Sequence, residues 1–176
     1  FTPGLHAQRD ALMQRMPMGA TVKALAFYDR PFWRDAGLSG EAVCDRGPIA
    51  VVFDNVSHDG AQACLLAFIV GQAAIEWSSR SEEERKRVVV DTFVRLFGER
   101  AANPSHYVEK DWSTDPWTRG CPVGVLSPGG VMASGNTLRA PVGHIHWAGT
   151  ETALEWNGYL EGALEAGERA AGECIR

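Results

Sequence analysis

The segment from His146 to Ala163 has the residue types and spacing of a ligand-binding turn. A predicted strand ends at Gly149, a polar loop follows, and a helix is predicted to begin near Asn157 and Gly158. The first amides of a helix are unpaired and carry positive potential, so they can donate hydrogen bonds to an anionic or electron-rich ligand. We expect Asn157 to cap this helix. The alternative is a plain strand–loop–helix whose small residues serve packing alone.

The cysteines and histidines lack the spacing of a metal site. The four cysteines are far apart with no C-x-x-C pair, and the five histidines show no metal-ligand pattern. Cys64 lies in an apolar run and is interpreted as a core residue. The acidic run from Glu82 to Glu84 follows Ser81, which indicates the capped start of a helix. We therefore expect no metal centre.

An α+β fold is predicted to position these residues. Strands dominate the middle of the chain and helices flank them, which indicates a mixed or antiparallel sheet. Residues 31–34 are predicted to form a turn, and residues 115–141 are expected to be loops because they are rich in proline and glycine. Strands are predicted over 20–28, 41–45, 49–54, 63–70, 106–112 and 145–148, and helices over 5–15, 71–77, 81–97 and 158–175.

Composition narrows the functional class. The 176 residues are enough for a real core, and 45% hydrophobic with 22% charged residues is ordinary for a globular protein. A net charge of −5 argues against a nucleic-acid-binding surface. No stretch approaches the roughly 20 apolar residues of a membrane span, so we expect no membrane anchor in this chain. The cysteine usage does not require an oxidising compartment, and a cytoplasmic location is expected.

Several blocks of the sequence, all in one order, resemble the C-terminal portion of the flavin-containing monoamine oxidase family, in its bacterial type. The resemblance covers nearly the whole chain. It implies a substrate-binding-domain portion in residues 1–115 and, in residues 116–176, the last strand and helix of an FAD-binding domain. The blocks are G-A-T-V-K at 19–23, Y-D-R-P-F-W-R at 28–34, S-E-E-E-R at 81–85, E-K-D-W at 109–112, R-G-C at 119–121, the segment 146–163, and E-A-G-E-R-A-A at 165–171.

The resemblance implies two catalytic residues. Lys23 matches the family lysine that holds a water molecule against the flavin N5. Tyr159 matches one of the two tyrosines that form an aromatic cage in front of the flavin. The second cage tyrosine of the family follows the flavin-linked cysteine, and Pro122 stands at that position here. This departure leaves the identity of the substrate open. Val43 and Val51 fall in the hairpin that lines the family's substrate cavity.

Cofactor contacts are implied at eight positions. Cys121 matches the cysteine that some family members join covalently to FAD; the alternative is a packed free thiol beside non-covalent FAD. Trp112 matches a tryptophan near the flavin ring. Near the pyrophosphate we expect backbone amides and the Thr150 hydroxyl to serve the cofactor better than the Glu151 carboxylate, which would repel a phosphate. The remaining matches are Gly149, Gly158, Tyr159 and Leu160, the last through its backbone N–H to the flavin's pyrimidine edge.

The activity implied is the oxidation of a primary amine. The product imine hydrolyses to an aldehyde, and oxygen accepts the electrons to give hydrogen peroxide. The expected partners are therefore a small amine and oxygen, and a homodimer stays open. These residues contain no G-x-G-x-x-G motif for the ADP half of FAD, so we expect the 176-residue chain alone to bind FAD weakly and to be inactive. The alternatives are a polyamine, putrescine or amino-acid oxidase, or a non-catalytic interaction module that retains the substrate-domain fold.

Overall fold

The computed structural model describes residues 1–2 and 4–175 and divides the chain into two compact units. The sheet unit is the continuous segment Ala20–Gly120. The terminal unit combines Phe1–Gly19 with Cys121–Arg176. The division after Gly120 lies five residues beyond the boundary expected from sequence, and the first 19 residues group with the C-terminal segment. The assignment of a substrate-binding and an FAD-binding portion stays a prediction.

The sheet unit is built on one five-stranded antiparallel sheet. Its strand order is β2-β3-β4-β1-β5, and each neighbouring pair runs antiparallel. This confirms the α+β prediction. The strands are β1 Thr21–Tyr28, β2 Ala42–Val43, β3 Ile49–Asp54, β4 Ala63–Val70 and β5 His106–Asp111.

One face of this sheet carries the core. In β1 the side chains of Val22, Ala24 and Ala26 are fully buried, while the intervening residues are only half-buried. Successive strand residues point to opposite faces, so β1 has one core face and one non-core face. Val89 and Phe93 belong to the same buried cluster and come from the helix Glu82–Phe97. The helices of this unit are α2 Phe32–Asp35, α3 Gln72–Trp77 and α4 Glu82–Phe97.

Helix α4 begins and ends where its sequence predicts. The Ser81 side chain accepts a hydrogen bond from the Glu84 amide at 3.2 Å, and the Glu84 carboxylate accepts one from the Ser81 amide at 3.1 Å. This reciprocal pair satisfies two amides that the first helical turn leaves without partners. Gly98 ends the helix with a φ of 90°, a conformation that favours glycine.

The predicted turn at residues 31–34 is instead the short helix α2, which buries an aromatic cluster. Trp33 is fully buried, and its indole Nε1 donates to the Asp54 carboxylate at 2.9 Å. The backbone of Gly40 packs against this indole and has a φ of 81°. A Cβ on Gly40 would lie 2.6 Å from the Trp33 Nε1, so the close approach requires glycine.

In the described residues the terminal unit contains three α-helices, one of which the sequence does not predict. They are α1 Ala7–Gln14, α5 Gly130–Arg139 and α6 Leu160–Cys174. Helix α5 falls inside the predicted loop region 115–141, so that prediction is wrong for these residues. The C-terminal end of α5 is stabilised by a residue outside the helix. Arg9, which is 6% exposed, donates to the carbonyls of Thr137 and Leu138 at 2.7 and 3.0 Å. The sequence of α5 itself contains two glycines and an asparagine, which are weak helix formers.

The predicted strand at 145–148 is also wrong. Among the described residues Ile145 forms a single bridge, with the nearby Val142, and no ladder. A strand is stable only when a neighbour pairs with its backbone, and the apolar pattern cannot reveal whether that neighbour exists.

None of the helices within the described ranges is long and apolar enough to cross a membrane.

Candidate functional site

Helix α6 fixes the loop that precedes it through three side chains spaced four residues apart. Glu165 accepts hydrogen bonds from the amides of Leu154 and Glu155 at 3.0 and 3.1 Å, and these bonds hold the pKa of the Glu165 carboxyl below its usual value. Arg169 donates to the Trp147 carbonyl at 2.6 Å. Glu173 lies 2.8 Å from His146, and this hydrogen bond lowers the pKa of the Glu173 carboxyl. Residues four apart share one helix face, so side chains on one face of α6 hydrogen-bond to the loop.

The interior of the loop is tied by Thr150 and Asn157. The Thr150 hydroxyl accepts from the Gly158 amide at 2.6 Å and donates to the Tyr159 carbonyl at 2.9 Å. Asn157 donates its side-chain amide to the carbonyls of Thr150 and Glu151. The Thr150 hydroxyl, expected from sequence to serve the pyrophosphate, is thus engaged within the loop. The expected cap by Asn157 is wrong, because its side-chain nitrogen bonds to carbonyls and not its oxygen to amides.

The start of α6 is left available for a ligand. The helix begins at Leu160 with Tyr159 as its N-cap residue, and no side chain in the described ranges caps it. Both residues are mostly exposed. Gly149 and Gly158 lead into this turn with φ values of 108° and 88°, which residues with a side chain rarely adopt. Free helix amides beyond a glycine-lined turn suit a ligand that carries hydrogen-bond acceptors.

The segment around Cys121 forms a short antiparallel ribbon with residues 17–19. The Cys121 amide donates to the Gly19 carbonyl at 2.8 Å, and the Gly19 amide donates to the Val123 carbonyl at 3.0 Å. The Val125 amide completes the ribbon by donating to the Pro17 carbonyl at 2.9 Å. Cys121 is therefore held by the backbone of the N-terminal segment, a contact that the sequence pattern did not indicate.

Glu151 links this ribbon to the loop before α6. Its Oε1 accepts a hydrogen bond from the Gly124 amide at 2.9 Å. Val123 also approaches the loop: a Cβ on Gly158 would lie 3.9 Å from its Cγ1. Within the terminal unit, the structure therefore brings the Cys121 segment together with the loop that carries the other predicted cofactor-binding residues, namely Gly149, Thr150, Glu151, Gly158, Tyr159 and Leu160.

Lys23 lies in the sheet unit, on the non-core face of β1. It is paired with Phe68 on one side and Lys110 on the other, and its Nζ lies 5.2 Å from the centre of the Phe68 ring. No carboxylate of the described residues forms an ion pair with it. The Lys110 ammonium, in contrast, lies 3.4 Å from the Asp115 carboxylate. Lys23 is therefore a half-buried cation beside an aromatic ring.

Apart from Lys23 and Lys110, the side chains in two neighbouring rows of the non-core face are apolar, as the strand register shows. Residues directly opposite each other in neighbouring strands share a face. Val43 and Val51, which the family resemblance places in the substrate hairpin, pair with each other and lie in the same row as Phe68 and Lys23. Sequence reasoning missed the second row, because β4 is apolar at every position and its sequence does not indicate which face is left outside the core. That row consists of Phe53, Leu66, Leu25 and Val108.

Trp112 directly follows β5 in the sheet unit. It opens a single turn of 3-10 helix, and the Lys110 ammonium lies 5.2 Å from its ring. Its buried indole Nε1 has no hydrogen-bond partner among residues 1–2 and 4–175. Lys23 and Trp112 thus belong to one unit and the other predicted site residues to the other. Over residues 1–2 and 4–175, no group of three or more His, Cys, Asp or Glu residues is placed to hold a metal ion.

Comparison with known proteins gives one consistent result. The family model for flavin-containing amine oxidoreductases matches residues 1–175. A probable flavin-containing monoamine oxidase A of Dictyostelium discoideum is 48% identical over 98% of this chain and 38% of that protein. The flavin-containing amine oxidase B of Sus scrofa is 39% identical over 99% of this chain and 34% of its own length.

Two solved structures are similar throughout the chain. Cyclohexylamine oxidase from Brevibacterium oxydans superposes with a TM-score of 0.93 at 36% identity, covering 99% of this chain and 39% of that one. Wild-type putrescine oxidase bound to putrescine gives a TM-score of 0.93 at 33% identity, covering 98% and 38%. The chain thus spans less than two fifths of the length of these relatives.

Proposed function

Because this chain belongs to the family of flavin-containing amine oxidoreductases, we propose that it supplies the amine-facing sheet and a flavin-contacting loop of an FAD-dependent amine oxidase. The reaction is oxidation of a primary amine to an imine, which water hydrolyses to an aldehyde. Oxygen is the final electron acceptor and leaves as hydrogen peroxide.

The residues at the start of α6 fit FAD, the cofactor that family membership implies. The uncapped amide of Leu160 can donate to the pyrimidine edge of the flavin, and Gly149 and Gly158 keep side chains out of the approach. Cys121 and Tyr159 are the further cofactor contacts of the terminal unit in this proposal, and Trp112 that of the sheet unit. When bound, FAD supplies the acceptor for a hydride equivalent from the carbon next to the amine nitrogen.

Lys23 is the observation that carries the oxidase assignment. It presents an ammonium group on a sheet face whose two described rows are apolar apart from Lys23 and Lys110, beside the ring of Phe68 and without an ion pair among the described residues. A fixed cation of this kind stabilises negative charge that develops on oxygen as it is reduced. In this proposal Lys23 holds a water molecule at the flavin and favours the oxygen half of the reaction.

The sheet face supports a monoamine as the substrate class. In the two rows defined by the strand register, the charged side chains are Lys23 and Lys110, and the other members are apolar. A diamine such as putrescine carries a second ammonium group, which a carboxylate would stabilise and these cations would repel. An apolar substituent on the amine carbon would instead bury against this face. Tyr159, 6.0 Å from the Trp156 ring and edge-on to it, provides an aromatic surface although Pro122 replaces the second family tyrosine.

The proposal predicts that Lys23→Met in the full-length protein separates the two half-reactions. Reoxidation of the reduced protein by oxygen should slow about 100-fold, the scale of removing one preorganised electrostatic group, while reduction by amine under anaerobic conditions changes less than about threefold. Stopped-flow absorbance measures both rates. Lys86→Met, on the exposed surface of α4, is the matched control and should leave both unchanged. The role of Lys23 would be contradicted if both rates fell by the same factor, or if neither rate changed.

A further inference from the structure

The carboxylate of Glu151 turns towards the segment that carries Cys121. In the ribbon with residues 17–19, the amides of Cys121 and Val125 donate to carbonyls of the N-terminal strand. The intervening Gly124 amide faces outward, because hydrogen bonds in an antiparallel pair alternate in direction. Its acceptor is the Oε1 of Glu151, at 2.9 Å. The ribbon is therefore bound by backbone on one side and by the Glu151 side chain on the other.

The second oxygen of the same carboxylate lies against Gly149. A Cβ on Gly149 would be 3.2 Å from the Glu151 Oε2, and one on Gly124 would be 3.6 Å from Oε1. The carboxylate thus sits between two glycines, one from each segment. Its own backbone is fixed as well, because Asn157 donates to the Glu151 carbonyl at 3.1 Å. A side chain anchored at its base and bonded at its tip sets the distance between the two segments.

We infer that Glu151 is a positioning residue: it fixes the Cys121 segment against the loop Gly149–Tyr159, and so aligns two parts of the cofactor surface. The inference rests on the proposed function, in which both segments contact FAD. It also assigns the carboxylate a task other than contact with the anionic pyrophosphate. A hydrogen bond from an amide to an ionised carboxylate is stronger than one to a neutral acceptor, which suits a single contact that must hold a loop.

The test compares substitutions that keep or remove the acceptor in the full-length protein. Glu151→Gln retains an oxygen that can accept from the Gly124 amide. Glu151→Met has nearly the same length and no strong acceptor, so it removes the bond without emptying the space. Glu155→Met is the matched control, because Glu155 is an exposed glutamate of the same loop and its side chain forms no hydrogen bond or ion pair with another described residue.

Two measurements are made on each protein: hydrogen exchange of the peptide spanning residues 122–126, and the fraction of polypeptide that carries flavin. In Glu151→Met we expect exchange at Gly124 to accelerate about tenfold or more, since a bond to a charged acceptor is lost, and flavin content to fall. Glu151→Gln should stay within about threefold of the wild type in exchange and keep its flavin, because the acceptor remains. Exchange in α4 of the sheet unit and in α6 of the terminal unit should be unchanged in all three proteins, which shows that both units have folded.

The inference is overturned if Glu151→Met exchanges like the wild type, or if it exchanges faster while its flavin content is unchanged. Loss of flavin in Glu151→Gln equal to that in Glu151→Met also overturns it, because the bond would then not be the cause. A wild-type protein without flavin would sink the proposed function instead, and the exchange data from the same sample would still decide whether Glu151 holds the ribbon.

Discussion

In the terminal unit, the side chains of Arg9 and Arg139 donate hydrogen bonds to backbone carbonyls. Arg9 binds two carbonyls at the end of α5, and Arg139 donates to the carbonyls of Thr152 and Ala153 at 2.7 and 3.0 Å. Arg9 also stacks 3.5 Å above the Trp147 ring, and burial lowers the pKa of its guanidinium. Because any residue offers a carbonyl, the partner leaves no signature in the sequence. The roles of Arg9 and Arg139 are therefore visible only in the fold.

Two glycines of the sheet unit allow a prediction at the scale of one methyl group. Gly37 and Gly40 both have positive φ, 74° and 81°, but a Cβ on Gly37 meets nothing within 4 Å while one on Gly40 meets the Trp33 indole at 2.6 Å. Gly37→Ala should cost about 1 kcal/mol of unfolding free energy from backbone strain alone. Gly40→Ala should cost a further ~1–3 kcal/mol, because the buried tryptophan must shift. Urea unfolding followed by tryptophan fluorescence measures both, and equal costs would contradict the close packing.

Among the larger elements, the loop after β5 is organised by one carboxylate. Asp115 accepts hydrogen bonds from the amides of Thr118 and Trp117 at 2.9 and 3.0 Å and lies 3.4 Å from the Lys110 ammonium. These contacts, led by the Thr118 amide, lower the pKa of the Asp115 carboxyl to about 2. They stabilise the ionised form and hold the 91%-exposed Trp117 on an ordered turn.

This loop is predicted to open only in strong acid. The folded pKa of Asp115 lies below its unfolded value of about 3.9, so the stabilisation is complete above that value and is lost as pH falls through about 2. Nuclear magnetic resonance of the Asp115 carboxyl carbon should show a midpoint near 2, and the amide shifts of Trp117 and Thr118 should follow it. Asp115→Asn keeps an acceptor without a titrating group and should show no such transition. A midpoint near 4 in the wild type would mean that the capped turn does not form.

The elements that sequence could predict are those whose signals are local. The Ser81–Glu84 capping box and Gly98 bound α4 by contacts within a few residues, and the alternation in β1 reflects burial on one face. Helix α5 could not be predicted, because its stability depends on Arg9, more than 120 residues away. The segment 145–148 has a strand pattern but no ladder partner in the described structure.

The candidate site shows the same division. Family-like blocks predict site residues at Lys23, Cys121 and the loop from Gly149 to Leu160. The strand register places Val43 and Val51 in the row of Lys23. Residue types alone did not predict that Glu151 would bond to Gly124, because its partner is a backbone amide 27 residues away. The hydrogen bonds between α6 and the loop do have a signal in the sequence, which is the four-residue spacing of Glu165, Arg169 and Glu173. This spacing can be interpreted only once it is known which face of the helix contacts the loop.

On the scale of the whole molecule, the chain is one continuous sheet unit inserted into a second unit made of both ends. The segments where the chain leaves and re-enters the terminal unit are hydrogen-bonded to each other, through Cys121 and Gly19. The predicted site residues divide between these units: Lys23 and Trp112 in one, Cys121 and the loop before α6 in the other. Each unit thus contributes a different part of the proposed oxidase, an amine-facing sheet and a cofactor-contacting loop.

Amine-dependent formation of hydrogen peroxide by the full-length protein tests the central claim most directly. The flavin content of the purified protein is determined first, and peroxide is then followed after addition of benzylamine, a primary amine with an apolar substituent, or of putrescine. We predict a flavin-bearing protein that releases peroxide and aldehyde in equal amounts with benzylamine, and faster than with putrescine. A protein that binds flavin yet forms no peroxide with either amine would contradict the assignment as an amine oxidase.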